Sequence, residues 1–296
     1  MAAAGYHVRS ISLPAKPHPL SAALQDQLNF LKASESSPLA TRLGRLKTIY
    51  ELLDDLLRAQ TTRQVLFSER QSQAVELALN GSLRMLELCS NIRDFLSKMK
   101  EIVQELASAL RRRRKRCSTV VLPAGESAVR DAAEGYLNSR KRLTKLVRKF
   151  IRFSFQEKNG GTNPDAAGSD SSSVVTMLRG VEEINLEVFQ AILCYISQQG
   201  RLQPVSGWSM WIVVLLQAKP CGHSECQDDG NEMKKVDSEV LALRSSKDLN
   251  FSQARVVLKG LERVESNLKE IEEEMECIYR RQVKARVSLL NCLSRC

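Results

Sequence analysis

From Leu20 onward, apolar residues recur every three or four positions over most of the chain. That is the spacing of one face of an α-helix. No stretch keeps the two-residue alternation of a half-buried strand for more than a few positions. The pattern predicts a short helix over 20–33, then Ser37 as N-cap with Pro38 at the first helical position. The next stripe is Leu39, Leu43, Leu46, Ile49, Leu53, Leu56 and Leu57. A longer one follows: Leu79, Leu83, Leu86, Cys89, Ile92, Leu96, Met99, Val103, Leu106 and Leu110. It predicts a helix of about 40 residues, ~60 Å long, with Asn80-Gly81 as a point where its start can kink.

A break around 123–125 leads to a fourth helix over about 127–155. The run NGGTNPDAAGSDSSS at 159–173 has nothing to bury and reads as a solvated loop. Val174, Leu178, Val181, Ile184, Val188, Ile192 and Ile196 form the next stripe, with Gly200 as its stop. A short apolar helix over 206–218, a second loop reading PCGHSECQDDGNE and helices filling 237–295 complete the chain. In the last segment Val257, Leu261, Val264, Leu268, Ile271, Met275 and Ile278 alternate steps of four and three, flanked by Glu265, Glu272 and Glu274. This is a coiled-coil-like seam. Neighbouring helices offer matching stripes, so packing within the same chain is favoured over dimerisation. The expected fold is all-α: an elongated multi-helix antiparallel bundle with a coiled-coil-like C-terminal helix. Residues 20–296 would form one domain, with loops near 157–173 and 219–235 and a flexible, Pro-rich, basic tail at 1–19.

Composition agrees. Aromatics are 5% of the 296 residues, and the 14 Gly and 8 Pro are few for a chain built on tight turns. The eight Cys are scattered, and Cys89, Cys194 and Cys277 sit beside apolar residues in helical patterns. They read as thiols used as small hydrophobes in a reducing compartment. No apolar leader, membrane span, myristoylation site or prenylation box is read. A cytoplasmic location is expected, at the membrane periphery or, alternatively, in the nucleus.

Charge changes the picture most. The chain carries 44 basic and 34 acidic residues, a net of +10. Between Arg111 and Arg152 there are 14 basic and 3 acidic residues, so the remainder is nearly neutral. A localised patch suggests one docking face, where a uniform excess would suggest general polyanion affinity. Its first part is RRRRKR: Arg111, Arg112, Arg113, Arg114, Lys115 and Arg116. Cations complement a helix C-terminus, but six in a row exceed what the dipole needs. A nuclear import signal and an anionic-surface patch are the functional readings. In the second part, SRKRLTKLVRKFIRF, Leu143, Leu146, Val147, Phe150 and Ile151 are assigned to one face. Lys141, Arg142, Lys145, Arg148, Lys149 and Arg152 are assigned to the other. A basic amphipathic helix suits a membrane surface or calmodulin, or a bundle position with its cations turned outward. Each cation near anionic lipid is worth on the order of 1 kcal/mol. Binding costs on the order of 4 kcal/mol or more in lost motion. The patch alone therefore predicts weak, reversible, salt-sensitive attachment. Nucleic acid is disfavoured because no aromatic platform accompanies the cations.

Catalytic signals are absent from the sequence. The three His are His7, His18 and His223, none in an apolar pattern that would preorganise it. No nucleophile elbow, P-loop or dinucleotide fingerprint occurs. Glu182-Glu183 and Glu272-Glu273-Glu274 read as solvated faces. Cys221, His223 and Cys226 lack a fourth zinc ligand. No enzyme activity, cofactor or metal is expected. In the tail, Arg9-Ser10-Ile11-Ser12-Leu13-Pro14 is similar to the R-S-x-S-x-P pattern bound by 14-3-3 proteins when phosphorylated, which makes Ser12 a phosphorylation candidate.

Several phrases together resemble one family: HVRSISLPAKPHPL (7–20), LNGSLRMLELCS…LRRRR (79–114), YLNSRKR (136–142), residues 177–197, SGWS (206–209) and EMECIYRRQVKARVSLLNCL (274–293). The chain is similar to the plant BYPASS-related proteins, a plant-specific helical family. The resemblance implies a role in root and shoot development, in one relative by restraining a mobile root-derived signal. The family has no established catalytic residues to carry over. Two departures stand out: the more apolar WIVVLLQAK at 211–219, and Ala285 where the family phrase has Thr. The combined expectation is a non-enzymatic scaffold that docks through 111–152 on an anionic membrane or acidic protein partner. A nuclear regulator and a small-molecule-handling protein with a site inside the bundle are the alternatives.

Overall fold

The seam foreseen near the C-terminus runs further than three heptads. In a computed structural model describing residues 19–34, 37–116, 124–156, 173–198, 229–246 and 251–294, eight helices form and no strand occurs among the described residues. They are α1 (Pro19–Ala33), α2 (Leu39–Arg58), α3 (Gln60–Ser68), α4 (Gln73–Arg116), α5 (Ala124–Gln156), α6 (Ser173–Ser197), α7 (Asp229–Ser245) and α8 (Phe251–Ser294). On α8 the seven seam residues are buried, and the alternation continues through Gln282, Ala285, Leu289 and Cys292.

The α8 seam packs on α4 and α2, with α3 and α7 also against it. Charges beside the seam fix direction. Arg93 pairs with Glu276, Lys100 with Glu272 and Arg111 with Glu262, so α4 runs antiparallel to α8. Lys47 pairs with Glu274, Glu51 with Arg281, and Asp54 accepts from Ser288, so α2 runs parallel to it. Glu272 and Glu274 are thus half-buried bridges between helices, a correction to the solvated face expected from their run; Glu273 alone is exposed.

α6 is the innermost element. It packs on α1, α2, α4 and α5, and buried residues from Val174 to Ser197 surround it on most sides. The α4 stripe also shifts. Val75, Ala78, Met85 and Leu88 are buried near its start, whereas Leu83 is 44% exposed. Gly81 is buried within the shifted stripe, and the helix does not break there. A Cβ there would fall on the Glu182 carboxylate, the movable end of a side chain from α6.

Other expectations move at element ends. Ser37 makes no cap; Pro38 takes the N-cap position with no side-chain bond, and its carbonyl accepts from the Arg42 amide at 3.2 Å. Ala124 and Gly125 open α5 where a break was expected. The segment 219–235 is helical from Asp229, and Ser173 starts α6. Burial of Met233 and Val236 and a bond from Arg263 to Glu232 at 3.0 Å anchor that first part of α7. The tail before Pro19, the rest of the 157–173 loop, Gly200 and the apolar stretch 206–218 lie outside the described residues.

Candidate docking surface

α5 has a strict inner face. Val129, Ala133, Tyr136, Arg140, Leu143, Val147 and Ile151 are buried, in steps of three and four that keep one side of a helix inward. Three helices, α4, α6 and α7, cover it. The six cations assigned to the outer face, Lys141, Arg142, Lys145, Arg148, Lys149 and Arg152, are all exposed. None makes an ion pair or hydrogen bond with another described residue. Lys149 has one ring contact, its Nζ 5.8 Å from the Phe153 centroid.

One residue leaves its expected face. Leu146 is 51% exposed among the cations, while Phe150 meets Phe95 of α4 edge-on with ring centroids 5.3 Å apart. The helix is rotated so that Leu143, Val147 and Ile151 centre the contact. Leu146 then falls beyond its edge, as does Phe153, which is 64% exposed.

Within the run at 111–116, Arg111 is engaged by another helix. Arg111 pairs with Glu262 at 3.3 Å and Glu265 at 3.8 Å on α8. Arg112 is exposed and Arg113 half-buried. The side chains of Arg114, Lys115 and Arg116 lie outside the described residues. α4 and α5 are antiparallel, with Phe95 beside Phe150 and Arg84 donating to the Ser154 carbonyl, so Arg111 lies about 24 Å along α4 from Phe95 and about 10 Å beyond the level of Lys141.

Other cations of the basic segment turn inward. Arg130 donates to the Ser246 carbonyl at 3.1 Å. Arg140 is 4% exposed. Its Nη1 donates to the Ile196 carbonyl at 2.5 Å and to Thr144 Oγ1 at 3.3 Å, and its Nε lies 3.4 Å from Asp237. Asp237 also accepts from Tyr136 at 2.7 Å and from Gln198 at 2.6 Å. Burial above all, and the Asp237 charge beside it, push the Tyr136 hydroxyl well above its ordinary pKa, so it stays a donor. Sequence reasoning missed this cluster because one inward Arg in a run of cations has no separate signature.

A cavity of about 40 Å³ is walled by Tyr50, Ser82, Glu182, Gln282, Ala285 and Arg286. That is room for water and too little for an organic ligand. Ala285, the departure from the family phrase, is 5% exposed. A wider groove of about 620 Å³ between α1, α3 and α6 carries no charged side chain. Among the described residues no three metal-ligating side chains cluster. No described helix is long and apolar enough to cross a membrane. Cys89, Cys194 and Cys292 are buried and Cys277 is half-buried, and none of these four is in a disulfide. Cys221, His223, Cys226 and Ser12 lie outside the described residues.

No curated protein and no solved structure gives a significant match to the chain. A family model described as Protein BPS1 matches residues 42–292, from the first turn of α2 to nearly the end of α8. The chain belongs to that family, in agreement with the BYPASS-related resemblance of its sequence phrases.

Proposed function

We propose that the protein works by contact and not by turnover: it is a helical scaffold whose outward basic face on α5 docks reversibly on an anionic membrane or an acidic partner. Family membership supports a setting in plant root and shoot development. The observation that carries the reading is the division of cations on one helix. Arg130 and Arg140 are tied to neighbouring elements, while Lys141, Arg142, Lys145, Arg148, Lys149 and Arg152 are left outward with no carboxylate partner among the described residues. Lys141, Lys145 and Lys149 succeed one another at four-residue steps, as do Arg148 and Arg152. Like charges so placed destabilise a helix by about 0.2–0.5 kcal/mol per pair. A negatively charged surface relieves that repulsion.

The test is binding of the full-length chain to phosphatidylserine-containing vesicles and to a Glu-rich polypeptide, against a variant with all six cations changed to Gln. Salt-sensitive binding to at least one of these, lost in the variant while the helical circular dichroism is kept, is the expected result. Equal binding by both proteins, or none by the wild type, overturns the reading.

A further inference from the structure

The α5 face carries a feature that charge alone does not explain. Leu146 and Phe153 are 51% and 64% exposed. They are seven residues apart, two turns and about 10 Å along one line of the helix. Arg142 precedes Leu146 by four residues and Lys149 follows it by three, so both flank the same line. The helix itself is already folded and held by its inner face on α4, α6 and α7. Its outer face is therefore preformed, and little ordering is needed on docking.

We infer that the occupant of this face is an anionic lipid bilayer, with Leu146 and Phe153 entering the headgroup–acyl boundary and Arg142, Lys145, Lys149 and Arg152 at the level of the lipid phosphates. This rests on the basic-face reading above and makes its occupant specific. An acidic protein segment would be met by the cations and would leave a phenyl and an isobutyl group against carboxylates. A bilayer interface offers both chemistries at the right depths: negative charge outermost and hydrocarbon a few ångströms beneath. Long Lys and Arg stems reach back to the phosphates while the apolar groups sink. The two contributions differ in their response to salt, since ionic strength screens the cations and leaves apolar burial in place.

The experiment uses the full-length chain and vesicles of phosphatidylcholine with and without phosphatidylserine. Wild type is compared with L146S/F153S and with the six-Gln variant. Because Leu146 and Phe153 are exposed, both variants should keep the wild-type circular dichroism. The expected result is wild-type binding only where phosphatidylserine is present, abolished by the six Gln and weakened at least about tenfold by L146S/F153S. As a second readout, F153W should show emission beyond the wild type's own tryptophans that lipids carrying a doxyl quencher suppress. If L146S/F153S binds as tightly as wild type, and the F153W signal is not quenched, insertion is overturned while electrostatic docking stands. Wild-type binding to a Glu-rich polypeptide but not to vesicles overturns the bilayer and leaves an acidic protein as occupant. Binding to neither overturns both readings.

Discussion

The Arg140 guanidinium lies 3.4 Å from the Asp237 carboxylate, with the last turn of α6 closing over the pair. Arg140 belongs by sequence to the basic segment, yet it is 4% exposed and ties α5 to α6 and α7. The position after the helix, Gln198, holds a positive φ of 53° and donates to the same carboxylate. That bond helps hold a conformation non-glycine residues seldom adopt.

Removing one partner of a buried ion pair costs about 3–5 kcal/mol. Asp237 keeps some contact with water, its side chain 22% exposed, which reduces the cost to about 2–3 kcal/mol. Arg140→Leu should therefore lower the midpoint of urea unfolding markedly. Adding Asp237→Asn should recover part of the loss by discharging the stranded carboxylate. Urea titration followed by circular dichroism checks both, and an Arg140→Leu protein as stable as wild type would refute the role.

The thiols give a chemical readout of the fold. Burial pushes the Cys89 thiol up to about 12, against a smaller opposing effect from Arg93. Burial raises Cys292 as well. Cys89 Sγ lies 3.8 Å from the Met275 carbonyl and Cys292 Sγ 3.1 Å from that of Leu57. Thiolate is the reactive form, so iodoacetamide at mildly alkaline pH should leave both unmodified in the native protein. Both should react once guanidinium unfolds the chain. Peptide mass spectrometry reads the difference, and rapid native labelling of Cys89 would contradict its place in the core.

Acid should loosen the contact between α4 and α8. Burial alone would raise the Glu272 pKa, but hydrogen bonds from Lys100 and Ser97 and the charges of Lys100 and Arg93 outweigh it and hold it below 4.5. The folded state thus favours the carboxylate. Its contribution is complete above the unfolded value near 4.5, and is lost as pH falls through the lower folded value. Glu272→Gln should lower stability at neutral pH and flatten the acid limb of the stability profile. Thermal unfolding between neutral and strongly acidic pH measures it, and an unchanged acid limb would argue against the contribution.

Asn185 is fully buried on α6, and neither amide atom has a hydrogen-bond partner among the described residues. A buried amide left unsatisfied costs about 1–3 kcal/mol. Asn185→Leu, which keeps the branching and removes the polar atoms, should therefore raise the thermal midpoint. A fall on calorimetry would mean that the amide is satisfied elsewhere in the chain.

Much of the architecture was legible in the residues because a helix buries one face and so repeats its apolar positions. The α8 seam is the plainest case, and its extension through Ala285 and Cys292 follows the same rule. Less legible were features that depend on a neighbour. Gly81 looked like a kink point, and only the approach of α6 makes it a packing contact. Glu272 and Glu274 looked like solvated charge, and only the placement of Lys100 and Lys47 makes them bridges.

The sequence by itself determined that this chain is helical, where most of its helices fall and that its positive excess lies within 111–152, because periodicity and charge are properties of the chain in order. The tertiary structure decided which cations are available. Helix rotation about its axis is set by the partners it packs on, so Arg140 was turned inward, Leu146 and Phe153 outward, and Arg111 toward the acids of α8. No local pattern contains that rotation, because the residues that set it lie far away in the chain.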